Sequence, residues 1–156
     1  MEKTLKLTLD QAKAMLGKST ELDALINANF SQQELSLKIT DRIKTFQDAL
    51  NYTGESLQDF EERTALDSVD EKAYKKLKVI VLALNEGKSM DYSDTDVYKY
   101  YPWFNAAGSG SGFSYYDSYY DSTFSFVGAR LCLKSRELAK YAGQQFLKEY
   151  NEYINL

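Results

Sequence analysis

The aromatic tract between Tyr92 and Phe126 constrains the fold of this chain more than any other sequence feature. It holds 13 of the 22 aromatic residues in a chain of 156, interleaved with glycine, serine and aspartate. Helical periodicity disappears within the tract, and aromatic side chains favour β-strands. The second half of the chain is therefore predicted to contain a small sheet.

This sheet is predicted to be an antiparallel meander over about residues 97–133, with strands at 98–104, 113–120 and 124–133. In the first strand, Pro102 favours an edge position or a neighbouring bulge, because proline has no N–H to donate to a central ladder. In the third strand, Gly128 favours a break or a bulge.

Helices are predicted on both sides of the tract. Residues that favour an N-cap open them at Thr8, at Ser19 or Thr20, at Thr45, at Ser68 and at Ser135. The clearest helix covers about residues 69–86, where apolar residues recur at helical spacing. Residues 31–44 fit a short strand or a helix equally well. A closing helix is predicted over about 136–153.

The predicted fold class is α+β, with N-terminal helices, the meander and the closing helix in one domain spanning residues 1–156. Its helical part covers about residues 8–87, and its aromatic β part with the closing helix covers about 92–154.

The residues that the chain lacks exclude several classes of enzyme. There is no histidine, and Cys132 is the only cysteine, which excludes His-based triads, intrachain disulfides and zinc sites of the Cys/His type. We therefore expect no cofactor, no metal and no familiar catalytic site. Acid–base work by buried Asp, Tyr or Lys stays open. No apolar run matches a signal peptide or a membrane span, so we expect a cytoplasmic protein without a membrane partner.

Charge differs between the two halves of the chain. Residues 1–96 carry 18 acidic and 13 basic side chains, whereas residues 97–156 carry 5 acidic and 6 basic ones. The acidic first half argues against general nucleic-acid binding, which relies on neutralising phosphates. A local basic patch in the second half remains compatible with it.

Four segments form a recognisable pattern: LNEG (84–87), YKYYPWF (98–104), GFSYYD (112–117) and VGARLCLKSRELAKYAGQQF (127–146). Through these segments the chain resembles a group of short proteins carried by gut anaerobic bacteria and their bacteriophages. The pattern of this group has a serine and an aromatic residue where this chain has Ala129 and Leu133. The resemblance implies a phage- or mobile-element-associated protein and brings no catalytic residue with it.

Two candidate binding sites emerge from the residues themselves. The first is an aromatic surface, because Tyr and Trp offer rigid contact area with a polar tip: Tyr98, Tyr100, Tyr101, Trp103, Tyr115, Tyr116, Tyr119 and Tyr120. Alternation along a strand means that some of these side chains belong to the core instead. The second is an anion patch beside a helix N-terminus: Arg130, Lys134, Arg136 and Lys140.

Other charged or reactive residues are interpreted structurally. DYSDTD (91–96) lacks the spacing and the distal glutamate of an EF-hand and is predicted to be a capped turn. Cys132 is predicted to be a small buried residue beside the sheet.

The leading functional hypothesis is a non-enzymatic accessory protein that binds another macromolecule, expected to be a protein, through the aromatic surface. The alternative is a single-stranded nucleic-acid binder that stacks bases on tyrosines beside the anion patch. A carbohydrate-binding module is the third candidate. The oligomeric state is left open.

Overall fold

The structure is a computed structural model that describes residues 7–106, 112–122 and 129–155. Within these ranges the chain forms nine α-helices, one 3-10 helix and a two-stranded antiparallel sheet, which confirms the α+β class. Backbone contacts divide the chain into two compact units, with the boundary between Asp41 and Arg42. The single domain expected over residues 1–156 stays a prediction.

The helices of the first unit begin at side-chain caps. They are α1 (Leu9–Met15), α2 (Thr20–Asn29) and α3 (Gln32–Ser36), and α4 (Ile39–Arg42) crosses the unit boundary. The Thr8 hydroxyl accepts a hydrogen bond from the Gln11 N–H at 3.2 Å, and the Gln11 side chain accepts one from the Thr8 N–H at 2.9 Å. Residues 31–44, which fitted either a strand or a helix, are largely helical because Ser31 caps α3 in the same way.

The second unit is built around its longest helix. Its helices are α5 (Phe46–Thr53), α6 (Leu57–Arg63), α7 (Val69–Leu84), α8 (Arg136–Gln145) and α9 (Leu147–Ile154). Helix α7 confirms the clearest sequence prediction, and the Glu71 carboxylate accepts hydrogen bonds from the N–H and the hydroxyl of Ser68. One side of α7 is buried at Ala73, Leu77, Ile80 and Leu84, and the helix contacts α5 and α9.

Helices α5 and α6 precede α7 in the chain, and α5 packs against α7. The hydroxyl of Thr45 caps α5 as predicted, and Gly54 ends that helix in the left-handed region at φ 78°, which glycine adopts without steric cost. The rings of Phe46 and Phe60 meet edge to face with centroids 4.8 Å apart, and Phe60 is fully buried.

The sheet consists of β1 (Lys99–Ala106) and β2 (Phe113–Asp121), which confirms the first two predicted strands. A bulge lies between Trp103 and Phe104, close to Pro102 as expected. The prediction of a third strand was wrong in its described part, because Ala129–Leu131 forms a 3-10 helix. Residues 123–128 of that predicted strand lie outside the described residues.

Pro102 explains why the third segment pairs at one residue only. Tyr100 exchanges backbone hydrogen bonds of 2.9 and 2.7 Å with Leu133, so its N–H and C=O point away from β2. The next residue of β1 with the same orientation is Pro102, which has no N–H. The ladder therefore cannot continue past the single bridge in that direction.

The closing helix was predicted as one segment but forms two, α8 and α9. Ser135 caps α8 as predicted, with its hydroxyl accepting from the Leu138 N–H at 3.2 Å. The break falls at Phe146, which has φ −109° and ψ 31° and a fully enclosed ring. The break lets α8 pack on the hairpin formed by β1 and β2, while α9 packs on α7.

Helix α8 approaches the sheet most closely at Gly143. A Cβ atom at this position would lie 2.5 Å from a ring carbon of Tyr115 and 2.7 Å from the Cβ of Pro102. Only glycine allows this approach, and its lower helix propensity, which costs about 1 kcal/mol relative to alanine, is the accompanying penalty.

Candidate binding surface

The register of the hairpin divides its aromatic residues between two faces. On one face the pairs are Tyr100 with Tyr120, Pro102 with Ser118 and Phe104 with Tyr115. On the opposite face Tyr101 pairs with Tyr119 and Trp103 pairs with Asp117. Because α8 packs against Pro102 and Tyr115, the first face is the inner one and the second is the outer one.

The outer face carries an ordered row of aromatic rings. The Trp103 ring lies 5.7 Å from the Tyr119 ring, and Tyr119 lies 6.0 Å from Tyr101, measured between centroids. Trp103 is 51% exposed and Tyr119 is 55% exposed. These separations fall within the range of favourable aromatic pairs, so the rings are held in place although half of their surface faces solvent.

A second group of rings lies where β1 begins and β2 ends. Tyr98 meets Tyr120 edge to face at 4.8 Å, and Tyr120 lies 5.6 Å from Tyr100. The guanidinium of Arg136 lies 5.5 Å from the Tyr120 ring and 6.0 Å from the Tyr100 ring, close enough for cation–π attraction. Tyr119 and Tyr120 stack at 5.9 Å and join this group to the outer row.

The remaining predicted aromatic residues lie in different environments. Tyr115 is half-buried beneath α8, with its ring 6.4 Å from that of Phe104. Tyr116 is the extra residue of the bulge and is 63% exposed. Of the predicted aromatic residues, those with the largest exposed fraction are therefore Trp103, Tyr116 and Tyr119. Three others are half-buried, namely Tyr100, Tyr101 and Tyr115. We define the aromatic surface of the structure as Tyr98, Tyr101, Trp103, Tyr119 and Tyr120.

Two of the four predicted anion-patch residues already have acidic partners. Lys134 pairs with Glu86, and Arg136 lies 3.7 Å from a carboxylate oxygen of Asp117. Arg136 also donates a hydrogen bond of 3.1 Å to the backbone oxygen of Ser118. Whether the four cations form one anion site stays a prediction.

The other two residues of that patch lie on different elements. Lys140 is exposed one turn after Arg136 on α8. Arg130 is exposed on the 3-10 helix and lines a cleft with Lys78 and Lys88. Neither lysine was singled out for this cleft from the sequence, because only the fold brings α7 and the loop after it to Arg130.

Cys132 is buried next to Tyr92, as its predicted structural role requires. Burial raises the pKa of the Cys132 thiol, and a hydrogen bond from the Tyr92 hydroxyl opposes that change. The pKa of Tyr92 is raised mainly by burial and also by this bond, which stabilises the protonated phenol. A thiol held protonated in this way is poorly suited to nucleophilic chemistry.

Lys99 is the residue of the hairpin that sequence reasoning missed. It is only 1% exposed, and its ammonium donates hydrogen bonds to the backbone oxygens of Asp94 and Ser122. The ammonium also lies 5.6 Å from the centre of the Tyr92 ring. The loop before β1 thus covers the Lys99 end of the outer face.

The DYSDTD loop has the structure of a capped turn. The Asp91 carboxylate accepts hydrogen bonds of 2.8 and 2.6 Å from the N–H and hydroxyl of Ser93, and Asp94 accepts one of 2.9 Å from the Asp96 N–H. The Ser93 contacts hold the pKa of Asp91 below its usual range. Across the ranges that the structure describes, no group of three potential metal ligands is found.

Comparisons with family models, curated proteins and solved structures find no match to this chain. In the described part of the chain, no helix combines the length and the apolar character needed to cross a membrane. The site is therefore interpreted from its own geometry.

Proposed function

We propose that this chain is a non-enzymatic accessory protein of phage or mobile-element type that binds another protein through its aromatic surface. The observation that carries the proposal is the pair Trp103 and Tyr119, which are half-exposed yet fixed 5.7 Å apart on paired strands. The phage or mobile-element part rests on the resemblance of the four sequence segments alone.

Exposed, ordered aromatic side chains suit a protein partner for energetic reasons. Trp and Tyr dominate the binding energy of many protein interfaces, because they bury a large area and lose little conformational entropy. Here strand pairing already restricts Trp103 and Tyr119, so less ordering is required on binding.

The edges of the hairpin favour contact through its face rather than through an added strand. On the edge of β2 that points away from β1, Arg136 donates to the Ser118 oxygen. The Asn151 side chain bonds both the N–H and the C=O of Phe113 on the same edge. On the edge of β1 that points away from β2, Pro102 offers no N–H. A partner strand would find few backbone groups to pair with, whereas the outer face offers rings.

The charges near the aromatic surface support the single-stranded nucleic-acid alternative less well. Asp117 lies directly across from Trp103 and is exposed, and it would repel phosphates. Arg136 and Lys134, which would have to neutralise phosphates, already pair with acidic groups. The specific feature in favour of this alternative is the Arg136 guanidinium over Tyr100 and Tyr120.

The test is capture of partners from native host lysate with and without nuclease treatment, using tagged wild-type protein and the variants Trp103→Ala and Tyr119→Ala. We expect a partner retained after nuclease treatment and captured at least about tenfold less by each variant, as for other interface hot spots. Leu66→Ala is the matched control, because Leu66 is fully exposed and lies far along the chain from the hairpin.

Equal capture by wild type and both hairpin variants would contradict the assignment of the site. Loss of all partners on nuclease treatment would favour the nucleic-acid alternative. Release by oligosaccharides would favour a carbohydrate-binding module.

A further inference from the structure

A cleft lies on the side of α7 in the second unit. It has a volume of about 470 Å³ and lies between the C-terminal half of α7, the loop after that helix and the 3-10 helix. Lys78, Val81, Leu82 and Asn85 line it from α7, at the spacing of one helical face. Its volume falls within the roughly 300–1,000 Å³ typical of small-molecule sites.

The rim of this cleft is cationic. Lys78, Lys88 and Arg130 line it and are exposed, and none of the lining residues that the structure describes is an Asp or Glu. Among the ion pairs formed by residues that the structure describes, none involves these three side chains. Three like charges around one concave surface attract an anion, and low-dielectric walls strengthen that attraction.

The floor of the cleft is apolar. Val81 is 3% exposed and Cys132 is 1% exposed, and Met90 and Leu82 are half-buried beside them. Asn85 fixes one wall, because its amide donates to the Cys132 oxygen at 2.9 Å and accepts from the Lys134 N–H at 3.0 Å. Its amide nitrogen and its oxygen thus each have a backbone partner.

From this arrangement we propose that the α7 cleft binds a small organic anion, with the acidic head between Lys78, Lys88 and Arg130 and an apolar body on Val81, Leu82 and Met90. The cationic rim selects against neutral ligands, and the apolar floor selects against inorganic anions. This site is separate from the aromatic surface and does not depend on the proposed function.

The test is a titration of the full chain by two-dimensional amide NMR with three probes. Octanoate has both an acidic head and an apolar body, 1-octanol has the body alone, and inorganic phosphate has the charge alone. Octanoate is expected to shift amides in residues 78–92 and 130–132 saturably. The other two probes are expected to bind at least about tenfold more weakly, because each lacks one half of the recognition.

Substitutions separate the two halves of the site. Arg130→Gln and Lys88→Gln should each weaken octanoate binding about three- to tenfold and leave 1-octanol binding unchanged. Met90→Gln should weaken both. Lys148→Gln is the matched control, since Lys148 is an exposed lysine on α9 that does not line the cleft, and should change neither.

Any of three results would overturn the proposal. The first is equal affinity for octanoate and 1-octanol, which would remove the role of the cations. The second is octanoate affinity that is unchanged by both Arg130→Gln and Lys88→Gln. The third is a set of amide shifts that map only outside the cleft.

Discussion

Helix α7 and the helices α1 to α3 begin with the same kind of local signal but bury very different amounts of side chain. Each has a serine or threonine at its N-cap position. Within α7, seven of 16 residues are buried. Between residues 7 and 41, in contrast, Ala12 and Ile26 alone are buried.

The difference separates two contributions to a helix: the cap that starts it and the buried side chains that stabilise it. A side-chain cap contributes about 1 kcal/mol and acts within one turn. Burying a single Leu or Ile side chain contributes about 1.5–3 kcal/mol and ties the helix to its neighbours. We therefore expect α7 to open only with its whole unit, and α1 to α3 to open locally.

The largest effect is expected at Leu77, which is fully buried in the middle of α7. Leu77→Ala should lower the free energy of unfolding by about 3 kcal/mol, because it leaves a cavity as well as removing apolar contacts. Urea denaturation followed by circular dichroism measures this loss. The neighbouring exposed position gives the control, and Lys78→Ala should stay within about 0.5 kcal/mol. A loss at Leu77 as small as at Lys78 would contradict the central role of α7.

A smaller effect is expected at Asn85, whose side chain is 3% exposed and bonds the backbone at both Cys132 and Lys134. Asn85→Ala leaves the buried C=O of Cys132 and the part-buried N–H of Lys134 without this partner, so about 2 kcal/mol should be lost. Glu86→Gln removes only the exposed ion pair with Lys134 and should cost less than about 1 kcal/mol. The same denaturation experiment compares them, and equal losses would show that the buried amide has no special role.

The smallest effect is expected at Ser19, whose hydroxyl caps α2. Ser19→Ala should destabilise α2 locally by about 1 kcal/mol. Hydrogen exchange read by mass spectrometry should show faster exchange in α2 and unchanged exchange in α7. Gln33→Ala, a change at an exposed position of α3, serves as the control. Faster exchange throughout α7 would break the distinction between the two regions.

Local sequence signals were enough to predict much of the fold. The caps at Thr8, Ser19, Thr45 and Ser135 lie where expected, because a cap depends on residues three or four positions apart. The two strands of the hairpin were also predicted, since aromatic enrichment and turn residues mark them locally. The prediction of a third strand was wrong in its described part, because the pairing of that segment depends on which edge of β1 lacks the N–H of Pro102.

The environment of the candidate site was harder to predict from the sequence. Arg136 was expected to serve an anion, yet it lies beside Asp117, which is distant in sequence and reaches it only through the packing of α8 on β2. The burial of Lys99 likewise depends on the loop that folds over it. The cleft beside α7 combines residues 78–92 with residues 130–132, which lie far apart in sequence, so no single motif marks it.

The close approach of α8 to the hairpin at Gly143 limits how relatives that share this packing can vary. A side chain at position 143 has no room unless the tyrosine at 115 becomes smaller or the helix moves away from Pro102. These three positions are 13 and 28 residues apart in sequence but form one contact, so evolutionary change at one should be accompanied by change at another. Covariation among positions 102, 115 and 143 is therefore a signature by which distant relatives of this fold could be found.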